Sequence, residues 1–135
     1  MATLVSGPLT AFVRRITLRT ALKLDAVVSG TNGAAYLVAA GPLGDVLGLE
    51  PVLLRILGAV LVAFAAALML TATRVAVARP AVVAIVVANA AWAVAGIVVA
   101  IGGWVSPTTL GTVWIVAQAL VVAGFAELQA TASRR

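Results

Sequence analysis

The chain has 135 residues, 64% of them hydrophobic and 10% charged, and a mean hydropathy of +1.20, a composition outside that of water-soluble domains and suited to a chain whose solvent is lipid. It contains neither cysteine nor histidine, which excludes thiolate and imidazole metal centres, axial-histidine haem, a catalytic thiol and disulfides. The formal net charge of +5 comes from nine basic residues against four acids, set beside apolar segments at helix ends, so no nucleic-acid partner is expected.

Residues 1–23, MATLVSGPLTAFVRRITLRTALK, are too basic for a membrane span and lack the cleavage pattern of a signal peptide. Leu9, Phe12, Val13, Ile16 and Leu22 alternate there with Arg14, Arg15, Arg19 and Lys23. Two readings fit: an amphipathic helix on an anionic membrane surface, or a basic flank that only fixes topology.

A hydrocarbon core about 30 Å thick needs roughly 20 apolar residues per helix, leaving room here for about four spans and no soluble domain. The expected fold is all-α, a polytopic bundle of four transmembrane helices within 24–130. The first span covers 22–40 and is closed by Gly41-Pro42. Residues 43–50 form a loop with Asp45 and Glu50, and Pro51 opens a second span over 52–71 whose one polar side chain near its start is Arg55. The third span covers 81–101. Ser106 as N-cap and Pro107 as first helical residue start the fourth, over 109–128, before a basic tail at 131–135. All five prolines lie outside span interiors, which predicts unbroken helices, in contrast to the interrupted spans of many ion-coupled transporters.

Arg14, Arg15, Arg19, Lys23, Arg74, Arg79, Arg134 and Arg135 fall on one side of this arrangement and Arg55 alone on the other. By the positive-inside rule both termini are cytoplasmic, in the inner (plasma) membrane. A weak internal repeat relates Asn32-Gly-Ala-Ala-Tyr36 to Asn89-Ala-Ala-Trp92, and Leu68 to Arg74 to Leu128 to Arg134, as a duplicated helical hairpin would. Close helix packing is expected at Ser29 and Gly33, at Ala84 and Ala88 with Ala91 and Ala95, and at Ala119 and Ala123. The second span, almost without polar groups, is expected at the periphery, presenting Gly58, Ala63 and Ala67 to a neighbouring copy.

Polar residues at depth carry the functional reading. Asp25, Ser29 and Asn32 share one stripe of the first span. Counted from the expected span ends, Asn32, Asn89 and Gln118 all come within about one helical turn of the bilayer centre, on three different helices. Exposed to lipid, their amides would go unpaired, so they should face inward and meet one another, a water or a ligand. Trp92 and Trp114 share the faces of Asn89 and Gln118. Either these groups are interhelical bonds with packing indoles, or, together with Ser29 and Tyr36, they bind a ligand. Asp25, about one turn from the cytoplasmic end, is explained by the helix dipole with Arg19 and Lys23 nearby, or else is a proton-coupling acid. Glu127 needs a cationic partner or water.

The segments LDAVVSGTNGAAYLVAAGPLGDVLGL at 24–49 and GWVSPTTLGTVWIVAQALVVAGFAELQ at 103–129 give the chain a pattern that resembles small four-span integral membrane proteins of high-GC bacteria, a family without an assigned activity. The resemblance implies an architecture and no chemistry. In size and span number, with an acid in the first span, the chain is also similar to small multidrug-resistance transporters, although their glutamate lies deeper and its surrounding motif has no counterpart here. Three functions follow as expectations: a non-enzymatic protein that binds lipid or an apolar uncharged small molecule, or supports a membrane partner; a small oligomeric transporter using Asp25; and, least supported by two shallow carboxylates, an intramembrane enzyme. Membrane lipids and a second copy of the chain are the expected partners, and no catalytic residue, metal or cofactor is expected.

Overall fold

The computed structural model describes residues 15–103 and 105–134, together with Pro8 and Ala11. Of the amphipathic segment expected over 1–23, the part before Arg15 lies, apart from Pro8 and Ala11, outside the described residues, and the last six residues, from Leu18, belong to the first long helix. The interface role expected of Trp104 also lies outside the described residues. The described chain is all-α, in five helices: α1 Leu18–Val38, α2 Ala40–Leu47, α3 Pro51–Thr73, α4 Arg79–Gly102 and α5 Thr109–Ala132. Helices α3, α4 and α5 are long and apolar enough to cross a membrane, and of the most apolar stretch of each no more than 22% of residues are buried inside the protein. Val60, Leu70, Val87, Val94, Val113 and Leu120 all project outward. Apolar surface on this scale is stable only in an apolar solvent, and the chain is a membrane protein.

Helix α1 starts one turn earlier than its composition predicts. Thr17 is its N-cap, with the hydroxyl accepting from the Thr20 amide at 3.2 Å. Its end also differs: Gly41-Pro42 does not close the helix but lies in the first turn of α2. The proline has no N–H for the Val38 carbonyl and its ring crowds that carbonyl, so the ladder breaks at Ala39 (φ −118°, ψ 31°). A first turn tolerates proline, and the helix resumes as α2 through the stretch expected to be loop. It ends at Gly48, whose φ of 70° is left-handed. Pro51 opens α3 and Pro80 stands in the first turn of α4. At α5 the N-cap is Thr108 rather than Ser106, its hydroxyl accepting from the Gly111 amide at 3.1 Å.

The helices form two antiparallel hairpins, α1 with α3 and α4 with α5. In the first, Gly33 and Gly58 face each other so closely that a Cβ on either would lie 2.8 Å from the other's carbonyl oxygen. Leu22, Ala26, Leu68 and Ala72 with Ile85 of α4 form one apolar cluster, and Tyr36, Ala40, Leu54 and Leu61 another. Gly58, expected to meet a neighbouring copy, is therefore used inside the chain, while Ala63 and Ala67 are exposed. In the second hairpin Gly96 packs on Ala119, with a would-be Cβ contact at 3.4 Å. The packing face of α4 is Val82, Ile85, Asn89 and Ala93, not the expected Ala84, Ala88, Ala91 and Ala95, all of which are exposed. Ser29 and Ala119 are buried as small-residue contacts, but Ala123 is exposed.

Polar contacts tie helix ends at both ends of the bundle, one joining the two hairpins and the other closing the first hairpin. At one end the amide and hydroxyl of Thr108 donate to the Leu47 and Val46 carbonyls at 3.1 and 2.7 Å. At the other, Arg19 donates to the carbonyls of Ala72 (2.8 Å), Arg74 and Val75 (2.7 Å), filling acceptors left open where α3 ends.

Candidate functional site

The long axis of α1 organises two polar groupings. Asp25, Ser29, Gly33 and Tyr36 repeat at helical spacing and are all buried, so the stripe faces inward along its length. Near the end where α1 starts and α5 ends, Asp25 is 1% exposed. Its Oδ1 accepts from the Ser29 hydroxyl at 2.9 Å, and its Oδ2 accepts from Asn89 Nδ2 and Gln129 Nε2, each at 2.7 Å. Asn89 Nδ2 also donates to Gln129 Oε1 at 3.0 Å. Three helices thus meet on one carboxylate, and every hydrogen-bond partner of Asp25 among the described residues is neutral. Arg19 is engaged at the end of α3 and Lys23 is exposed. Because α1 begins at Leu18, Asp25 also lies beyond the first turn, so the dipole account of this acid does not hold. Glu127 is exposed.

From Ser29 onward the interior opens into a cleft of about 810 Å³ between the hairpins. Its walls include Val28, Leu61, Phe64, Trp92, Leu110 and Val121, and its polar points are Ser29, Thr31, Asn32, Tyr36, Asn89, Trp114 and Gln118. Val28, Leu110, Trp114 and Val121 are exposed, so the cleft is open and not an enclosed cavity. Trp114 Nε1 and Gln118 Nε2 both donate to the Tyr36 hydroxyl, at 2.8 and 3.0 Å. Asn32 is half-buried on the cleft wall and makes no side-chain hydrogen bond to a described residue.

The three amides, expected to face inward and find one another, a water or a ligand, do not bond to one another. Asn89 turns to Asp25 and Gln129, Gln118 turns to Tyr36, and Asn32 stands alone between them. All seven residues expected to form a ligand site line the same cleft, whereas Asp25 is behind Ser29 and Asn89 and contributes nothing to its walls. Gln129 was missed because the fourth span was expected to end at Leu128. The signal for it exists: it follows Gln118 by eleven residues, three turns of helix, and so shares its face.

Chemically, the cleft offers apolar walls, neutral hydrogen-bonding groups and no charged side chain. No group of three or more acids capable of holding a metal ion occurs among the described residues, and every buried side-chain nitrogen or oxygen there has a hydrogen-bond partner. Comparison with family models, with curated proteins and with solved structures finds no match.

Proposed function

We propose that this is a non-enzymatic membrane protein of four spans, α1, α3, α4 and α5, with both termini cytoplasmic in the inner membrane, and that it holds an apolar, uncharged molecule or lipid chain in the cleft between its hairpins. The observation that carries the reading is the composition of that cleft: about 810 Å³ of mainly aliphatic and aromatic wall, with neutral polar groups at a few points and the one interior carboxylate withheld behind Ser29 and Asn89. Such a site pairs with an uncharged ligand and leaves a full charge uncompensated in low dielectric. Its opening, between membrane-spanning helices in this reading, suits entry from lipid. The exposed faces of α3 and α4 leave room for a second copy or a membrane partner around this core.

The runner-up is a transporter in which Asp25 engages a cation, and the observation favouring it is a buried acid whose partners are all neutral. Native mass spectrometry of the protein extracted in mild detergent separates the two. The cleft reading expects a retained apolar adduct that is lost in Ala117→Trp, which fills the cleft, weakened in Asn32→Leu, and kept in Asp25→Asn. Loss in Asp25→Asn with retention in Ala117→Trp and Asn32→Leu would replace the cleft reading with the transporter reading.

A further inference from the structure

The Tyr36 hydroxyl is held within the cleft by two hydrogen bonds, from Trp114 and Gln118 of α5. A phenol oxygen has two lone pairs and one hydrogen. Trp114 Nε1 and Gln118 Nε2 occupy the lone pairs, at 2.8 and 3.0 Å, and among the described residues no acceptor takes the hydroxyl hydrogen. Tyr36 is 4% exposed and lines the cleft, so what remains of its hydrogen-bonding capacity is a single donor confined to an apolar space. Accepting two hydrogen bonds also polarises the O–H and strengthens it as a donor.

From this geometry we infer that the cleft ligand carries a hydrogen-bond acceptor, a ketone, ester or quinone-type carbonyl on an apolar body, and that Tyr36 donates to that oxygen. The inference rests on the cleft being a binding site. It narrows the ligand, because a pure hydrocarbon would cover the phenolic hydrogen without pairing it, and a group that can only donate would find both lone pairs taken. Asn32, one turn before Tyr36 on the same face and unpaired, is placed to add a second, adjustable bond to the same head.

Two probes matched in length test this: methyl nonyl ketone, isotope-labelled at its carbonyl carbon, and undecane, each partitioned between protein-containing and protein-free detergent micelles. The ketone should bind roughly tenfold more tightly than undecane, the order set by leaving one buried neutral donor unpaired. Tyr36→Phe should abolish that preference, with undecane binding in the same variant reporting that the cleft is intact. In the unmodified protein, isotope-edited infrared spectra should place the bound carbonyl stretch below its position in hydrocarbon solvent, a readout that does not depend on any variant folding. Equal affinities for the two probes, or an unshifted carbonyl band, would overturn the inference while leaving the cleft a binding site. If neither probe binds, the cleft reading itself fails and the inference with it.

Discussion

Asp25 takes three hydrogen bonds, two of them from amides on different helices, so the cost of disturbing it depends on which partner is removed. Asn89→Leu deletes the donor that touches both the carboxylate and Gln129, and should destabilise the protein by about 1–3 kcal/mol, toward the upper end because one of the bonds lost is to a carboxylate. Asn32→Leu deletes an amide without a protein partner and should be near neutral in the empty protein. Thermal unfolding in one detergent compares the two, and equal effects would contradict this assignment of roles. The inward stripe of α1 and the interior position of Asn89 were legible in the sequence, because spacing on a helix fixes a face. The pairing was not. With α1 starting at Leu18, α4 at Arg79 and α5 ending at Ala132, Asn32 and Gln118 lie at matching distances from the basic end, while Asn89 falls four residues, about 6 Å, nearer to it, within hydrogen-bonding reach of the Asp25 carboxylate.

Between helices the decisive feature is backbone contact. Gly33 and Gly58 let α1 and α3 approach until a Cβ on either would meet a carbonyl oxygen at 2.8 Å, a distance at which backbone has to move. Gly33→Ala and Gly58→Ala should each cost about 1–3 kcal/mol through overpacking. At Gly124, within α5, an added Cβ meets nothing within 4 Å, so Gly124→Ala should be neutral or stabilise by about 0.5–1 kcal/mol through helix propensity. The three substitutions compared by chemical unfolding in a single detergent check the packing, and a destabilising Gly124→Ala or two silent interface variants would refute it. Ser29 and Gly33 announced their contact in the sequence. The alanines of α4 did not reveal which of them pack, since a helix with alanine on most faces has no face marked by composition. Pro42 read as a stop because proline both ends helices and begins them; its position four residues after Val38 is what decides where the break falls.

Across the whole molecule, the charges and the polar contacts share a common polarity. The starts of α1 and α4 and the ends of α3 and α5 gather at one end, joined by Arg19 to the close of α3 and by Asn89 and Gln129 to Asp25. Arg15, Lys23, Arg74, Arg79 and Arg134 are exposed there. The opposite end carries Asp45, Glu50 and Arg55, with Thr108 tied to Leu47 and Val46. A bilayer with an anionic inner leaflet and an inside-negative potential favours the basic end on the cytoplasmic side, and the bias is strongest for short flanks such as these. Helix α1 is the test of the arrangement. It is less apolar than the other three long helices, yet its polar residues Asp25, Ser29 and Tyr36 are turned inward and Val27, Val28, Leu37 and Val38 outward, so it can cross the membrane as part of the pair with α3 although its composition alone does not require it. In intact spheroplasts, a single cysteine at Asp45 should react with a membrane-impermeant maleimide, and one at Ser133 should react only after permeabilisation. A third at Thr17 should follow Ser133, because α1 then runs across the membrane between Thr17 and Asp45. If Thr17 and Asp45 label from the same side, α1 does not cross, the protein has three spans, and the cleft between the hairpins opens to water at the membrane surface instead of to lipid.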